Sequence, residues 1–89
     1  MVTIYGTRFC PYCIAARRFL NDRGIVFEDI ALDGNPVLRK EIMARSGRRT
    51  VPQIWIGEMH AGGYDDLRRL DRSGQLDGML VQASQNQGT

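Results

Sequence analysis

At 89 residues the chain has room for one domain, so any site has to come from a single core. Hydrophobic residues at 43% and charged residues at 25% lie near globular averages, which excludes a disordered chain and a disulfide-stapled mini-protein. The net charge is only +2, and the arginines come in pairs (Arg17 and Arg18, Arg48 and Arg49, Arg68 and Arg69) among acidic residues, so no basic stripe for nucleic acid is present.

Val2-Thr3-Ile4-Tyr5 is β-branched or aromatic throughout and stops at Gly6, which predicts a short buried strand. This opening lacks the basic region and apolar run of a secretory signal, and no apolar stretch has spanning length, so a cytoplasmic location without membrane contact is expected. Pro11 suits a first helical position, Ala15, Ala16, Phe19 and Leu20 supply an apolar face, and Gly24 stops the run; a helix is predicted from about Pro11 to Arg23. Ile25 to Leu32 reads as a second strand. After the turn Asp33-Gly34-Asn35, Asn35 can cap a helix that opens with Pro36, turns Leu38 and Ile42 inward and ends at Gly47. Val51 to Ile56 reads as a third strand entered through Pro52, and Gly57-Glu58 turns it into a hairpin partner at Met59 to Ala61. Gly62-Gly63 breaks that strand, and Asp65 or Asp66 can cap a helix carrying Leu67 and Leu70. Beyond Gly74 a last helix runs through Leu76, Met79 and Leu80. A single domain over residues 1–83 and a frayed polar tail over 84–89 follow. The order strand, helix, strand, helix, hairpin, helix predicts an α/β fold. Two parallel strands joined by a right-handed crossover, with a hairpin added antiparallel, make one mixed four-stranded sheet flanked by helices.

Cys10-Pro11-Tyr12-Cys13 lies between the first strand and the first helix, the context in which a Cys-x-x-Cys pair carries redox chemistry in a reducing compartment. With Cys10 at the N-cap, the amides of Tyr12 and Cys13 point back at its sulfur and the helix dipole favours negative charge there. Arg8 adds a cation two residues upstream, so a Cys10 pKa of roughly 3.5 to 7.5, against about 8.5 for a free thiol, is expected. Cys13, one turn inside the helix, should be dehydrated and hold its proton, which assigns Cys10 as attacking thiol and Cys13 as resolving thiol. A structural zinc site needs about four N or S ligands, and beyond the pair the chain offers only His60, so no metal is expected.

With Cys10-Pro11-Tyr12-Cys13, Thr50-Val51-Pro52 and Gly62-Gly63-Tyr64-Asp65-Asp66-Leu67 in this order, the chain from about Val2 to Leu80 resembles the glutaredoxins, especially small bacterial dithiol members. The resemblance implies a thioredoxin-like fold and a glutathione-dependent thiol-disulfide oxidoreductase, with glutathione as co-substrate and no tightly bound cofactor. It makes Cys10 the thiol that becomes glutathionylated, places Tyr12 beside bound glutathione, and puts Arg8 where the family usually has lysine. It further implies a cis peptide before Pro52, main-chain hydrogen bonds from Val51 to the cysteinyl group of glutathione with Thr50 alongside, and a γ-glutamyl site at Gly63, the Tyr64 backbone and Asp65. Arg39 matches a family position for the glycyl carboxylate, for which bidentate pairing would suit, and Arg49 is a weaker candidate of the same kind. The implied partners are glutathionylated or disulfide-containing proteins, by family analogy ribonucleotide reductase, with glutathione reductase as indirect partner and the chain a monomer.

Two alternatives stand beside this: a redoxin of the same fold reduced by thioredoxin reductase, and a carrier in which Cys10 of two chains and two glutathiones hold an iron-sulfur cluster. Arg8, Arg39 and the Gly-Gly-Tyr-Asp-Asp segment argue against the first, and Pro11 with the second thiol against the other. Trp55 reads as a packing aromatic and His60 as a hairpin surface residue, while Phe9 either shields Cys10 or fills the sheet edge.

Overall fold

Burial of two central strands organises the molecule, whose computed structural model describes Met1–Gln87. In β1 (Val2–Gly6), Val2, Ile4 and Gly6 are buried on one face while Thr3 and Tyr5 turn to the other. β3 (Gln53–Ile56) is buried at all four positions because both of its faces are covered. Ile54 and Ile56 join Val2, Ile4, Ala16, Leu20, Leu67, Leu76 and Ala83 in the larger core, and Trp55 joins Leu32 and Ile42 in the smaller one. The sheet therefore separates α1 (Pro11–Asp22), α3 (Tyr64–Arg72) and α4 (Gln75–Gln87) on one side from α2 (Pro36–Ser46) on the other.

The strand order is β2-β1-β3-β4, with β2 (Phe27–Ala31) parallel to β1 across the α1 crossover and β4 (Met59–Gly62) antiparallel to β3. This is the mixed four-stranded sheet that the order of elements predicts. Several boundaries differ from the sequence reading, among them β3, which starts at Gln53 rather than Val51. β2 starts two residues later than expected, because the chain leaves α1 through Arg23 and Gly24 (φ 68°) and lays Val26 at the surface, 80% exposed. α3 starts at Tyr64 with Gly63 as N-cap, rather than being capped by Asp65 or Asp66; Asp66 reaches back from the first turn to accept from the Gly63 amide at 2.9 Å. α4 continues to Gln87 through most of the expected tail, anchored by Leu76 and Ala83 in the core, and Gly88 and Thr89 lie outside the described residues. Among the described residues no helix is long and apolar enough to cross a membrane.

The caps of α2 are as read: the Asn35 side chain accepts from the Leu38 amide at 3.2 Å, and Gly47 closes the helix in the left-handed region at φ 73°. His60 is not a plain surface residue. It is half-buried and stacks on Trp55 at 4.5 Å between centroids, and Tyr5 meets the same indole edge-on at 5.5 Å.

Gln53 is the buried polar residue that matters for the site. Its amide nitrogen donates to the carbonyls of Arg48 at 2.9 Å and Thr50 at 3.1 Å, which ties the loop before β3 to the sheet. Gln53→Leu removes both bonds at nearly constant volume and leaves two carbonyls without this donor. A loss of about 1–3 kcal/mol in denaturant-derived stability is expected, with faster exchange of backbone amides over residues 48–52 than elsewhere in the sheet.

Candidate active site

The end of β1 and the start of α1 bring the two thiols to one place with different surroundings. Cys10 is the N-cap of α1 in extended conformation, half-exposed, with Pro11 as the first helical residue; Cys13 is fully buried one turn later. Both are free thiols. Cys13 is buried because the helix sits against Gly6: a Cβ built on Gly6 would lie 2.9 Å from the Cys13 sulfur, so only glycine fits. The Thr7 amide donates to that sulfur at 3.5 Å.

These surroundings split the two acidities. Partial burial pushes the Cys10 thiol up, but the Cys13 amide, the Cys13 thiol, the Tyr12 amide and the Arg17 guanidinium pull it down, and the net direction is below the ordinary value. Burial pushes the Cys13 thiol up, the Thr7 amide opposes, and the adjoining Cys10 adds to the rise, so Cys13 keeps its proton. The order of acidity expected from the helix start is therefore present. The acting cation differs from the expected one: Arg17, from the second turn of α1, bears on Cys10, while Arg8 is exposed, with its amide held by the Asp33 carboxylate at 3.1 and 3.2 Å.

Across from Cys10 lies the loop that Gln53 holds. The Val51–Pro52 peptide is cis, as the resemblance implies, and the Val51 carbonyl is 3.9 Å from the Cys10 sulfur. Tyr12, Thr50, Val51, Pro52, Gly63, Tyr64 and Asp65 line one cleft, together with Arg48 and Asp66. Of the residues singled out in the sequence, Arg39 is exposed on α2 and is not among those lining it, and Arg8 lines a separate depression with Arg17, Asp29 and Ala31. Phe9 is 84% exposed, so it neither covers the thiol nor fills the sheet edge.

The glutaredoxin family model matches residues 2–61. The chain belongs to the glutaredoxin family. It is 54% identical over 79 residues to a glutaredoxin of Pseudomonas aeruginosa, covering 89% of this chain and 94% of that one. It is 48% identical over 79 residues to glutaredoxin 3 of Escherichia coli, covering 89% and 95%. Among solved structures, a buckwheat glutaredoxin-glutathione complex superposes with a TM-score of 0.87 at 27% identity, covering 93% of this chain and 78% of that one. Glutaredoxin from Brucella melitensis gives a TM-score of 0.79 at 47% identity, covering 89% and 86%. The thioredoxin-like fold and the activity follow: this is a glutathione-dependent thiol-disulfide oxidoreductase, and the two alternatives raised by the sequence are not favoured.

Four residues that shape the site were not singled out for it in the sequence. Arg17 stands four residues after Cys13, a spacing that shares one helix face and was readable. Asp66 follows Gly63 by three, the spacing of a capping carboxylate. Arg48, which pairs with Asp66 at 2.7 Å, and Gln53 had no local signal, since their partners are set by how the loop folds over the sheet.

The Gly63 amide and the Arg48 guanidinium hold the Asp66 carboxyl below the usual range, so its ionised form stabilises the fold. The unfolded carboxyl titrates near 4 and the folded one lower; the contribution is thus fully present above pH about 4 and fades as the pH falls through the folded value. Asp66→Asn keeps an acceptor but gives up the charge, for an expected cost of about 1 kcal/mol at neutral pH. Denaturant melts from neutral pH into acid check this: the gap to the parent should close on acidification, and a gap that stays constant would assign it to something other than the ionised carboxylate.

Proposed function

We propose that this chain reduces protein-glutathione mixed disulfides and other disulfides with Cys10 as nucleophile and Cys13 as resolving thiol, glutathione being seated in the cleft between α1, the Thr50–Pro52 loop and the start of α3. The observation that carries it is the Cys10 sulfur, at the mouth of that cleft, 3.9 Å from the Val51 carbonyl. An extended γ-Glu-Cys-Gly backbone running beside Val51 would put its own sulfur next to Cys10, as a peptide adds to a sheet edge. Gly63, the Tyr64 backbone and Asp65 then take the γ-glutamyl end at the α3 N-terminus, and Tyr12, Thr50 and Pro52 line the same cleft. The family resemblance gives Arg39 to the glycyl carboxylate of glutathione and Arg8 the place of the family's lysine. Arg48 lines the cleft itself and is the nearer cation for a carboxylate.

The steps follow from the two acidities. The Cys10 thiolate attacks the glutathione sulfur of a glutathionylated protein, releasing the protein thiol and leaving Cys10 joined to glutathione; a second glutathione then attacks that sulfur and leaves as glutathione disulfide. With an intramolecular protein disulfide, Cys10 forms a mixed disulfide with one substrate sulfur, and Cys13 then attacks Cys10 and releases the substrate as a dithiol, from within the same helical turn and so at high effective concentration. The reading places the chain in the cytoplasm, in electron transport and redox homeostasis, as a monomeric single domain working with disulfide-containing proteins, among them ribonucleotide reductase, and indirectly with glutathione reductase.

Cys10→Ser should abolish turnover of every substrate. Cys13→Ser should still remove glutathione from a glutathionylated peptide but fail on an intramolecular protein disulfide; equal loss of both activities would sink the division of labour. For recognition, Arg48→Ala should raise the KM for a glutathionylated peptide several-fold with little change in kcat, and more than Arg39→Ala does. Steady-state kinetics coupled to glutathione reductase measure both, and an unchanged KM in Arg48→Ala would remove that guanidinium from the site.

A further inference from the structure

The cysteine pair carries negative charge twice in one cycle, first on Cys10 and later on Cys13, and one cation is built into the fold beside the inner thiol. Arg17 leaves α1 one turn beyond Cys13, and its side chain is only 20% exposed. Its Nε lies 2.9 Å from Asp29 Oδ2 on β2, and its Nη2 donates to the Thr7 carbonyl at 3.1 Å. Thr7 is the residue whose amide donates to the Cys13 sulfur. The vacant position beside Gly6 fixes the remaining distance: a Cβ there would lie 2.9 Å from the Cys13 sulfur and 3.4 Å from Arg17 Nη2. Arg17 Nη2 is thus at most about 6.3 Å from the Cys13 sulfur, near the range over which a cation stabilises an adjacent anion.

We propose that Arg17, clamped by Asp29 and the Thr7 carbonyl, is a positioning residue that supplies one fixed positive charge to the two sulfurs in turn, to the Cys10 thiolate before attack and to the Cys13 thiolate during resolution. A free arginine would spread its charge over many rotamers, and this one is held at two points. The direction of its influence on Cys10 agrees, since it pulls that thiol down. While Cys10 is ionised, Cys13 has a like charge beside it and stays protonated. Once Cys10 is in a mixed disulfide, its charge is gone and the guanidinium faces Cys13. Cys13 then gives its proton to water and attacks the Cys10 sulfur; the Cys10–Cys13 bond forms and the bond to the substrate sulfur breaks. The leaving sulfur takes the electron pair and then a proton, so the dithiol is oxidised as the substrate disulfide is reduced. The other charged groups nearby are Asp29 on β2, Arg8, and Asp33, whose carboxylate accepts from the Arg8 amide.

The inference rests on the roles proposed for the two thiols, but its test reads acidity and not turnover. Thiolate absorbance is followed against pH for Cys10 in Cys13→Ser and for Cys13 in Cys10→Ser, the serine reproducing the uncharged position 10 of the mixed disulfide. Arg17→Gln, and independently Arg17→Met in case one replacement fails to fold, is then added to each. Both titrations should move to higher pH, with the thiolate fraction below the midpoint falling roughly three- to tenfold, and Arg17→Lys should restore most of it. A shift in Cys10 alone, no shift in either, or Arg17→Lys behaving like Arg17→Gln would overturn the proposal. None of these results depends on whether glutathione is the reductant; loss of glutathione-coupled turnover in the parent would instead overturn the functional reading and leave the titrations standing.

Discussion

The close approach of α1 to the end of β1 at Gly6 is the constraint on which the rest of the site depends. A side chain on Gly6 would occupy the space of the Cys13 sulfur, so the absence of one lets the helix settle until Cys13 is sealed beneath its first turn. Cys10, at the helix N-terminus, is left half-exposed. One packing contact thereby gives two chemically identical side chains opposite properties. The outer sulfur has amides and a cation to stabilise its charge, and the inner one has been taken out of water.

The cleft opposite depends on a different part of the core. β3 is buried on both faces, and its Gln53, instead of an aliphatic residue, turns toward α2 to hold the carbonyls of Arg48 and Thr50. That bracket holds the loop carrying Val51, whose carbonyl comes to 3.9 Å from Cys10. The Arg48 side chain, sent out from the same bracket, pairs with Asp66, which also caps α3 through the Gly63 amide. The loop before β3 and the start of α3 are in this way joined by one carboxylate. A Cβ at Gly62 would collide with that carboxylate, and Gly62 itself has φ 106°, so glycine is required there both for space and for backbone conformation.

Each half of the site carries a restrained cation. Arg17 and Arg48 are each restrained by an aspartate from another element, Asp29 on β2 and Asp66 on α3. A reaction whose intermediates and substrate are both anionic is served by cations that need not be ordered at the moment of reaction. His60 is close enough to feel both Arg48 and Asp66, and its pKa is lowered first by burial against Trp55 and then by Arg48. It therefore stays neutral at physiological pH and adds no third charge to this side of the fold.

Local chemistry written into the sequence determined the order of elements, the mixed sheet and the position of the cysteine pair. Pro11, Pro36, Asn35, Gly24 and Gly47 act within a few residues of themselves, and the apolar periods of Val2 to Tyr5 and Ala15 to Leu20 need no distant partner to be read. The relative acidity of Cys10 and Cys13 was legible for the same reason, since a helix start is a local object. What acts on those thiols and what lines the cleft was decided by the tertiary structure. Arg8 is nearer than Arg17 to Cys10 along the chain, but Arg17 shares the inner helix face with Cys13 and is turned back onto Thr7 by Asp29, a residue of the neighbouring parallel strand. Arg39 lies on an exposed face of α2, whereas Arg48 is brought to the cleft by a buried glutamine five residues later and an aspartate eighteen residues later. Charge and hydrogen bonding act across space, and which side chains meet depends on how strands register and helices pack, quantities that no short window of sequence contains.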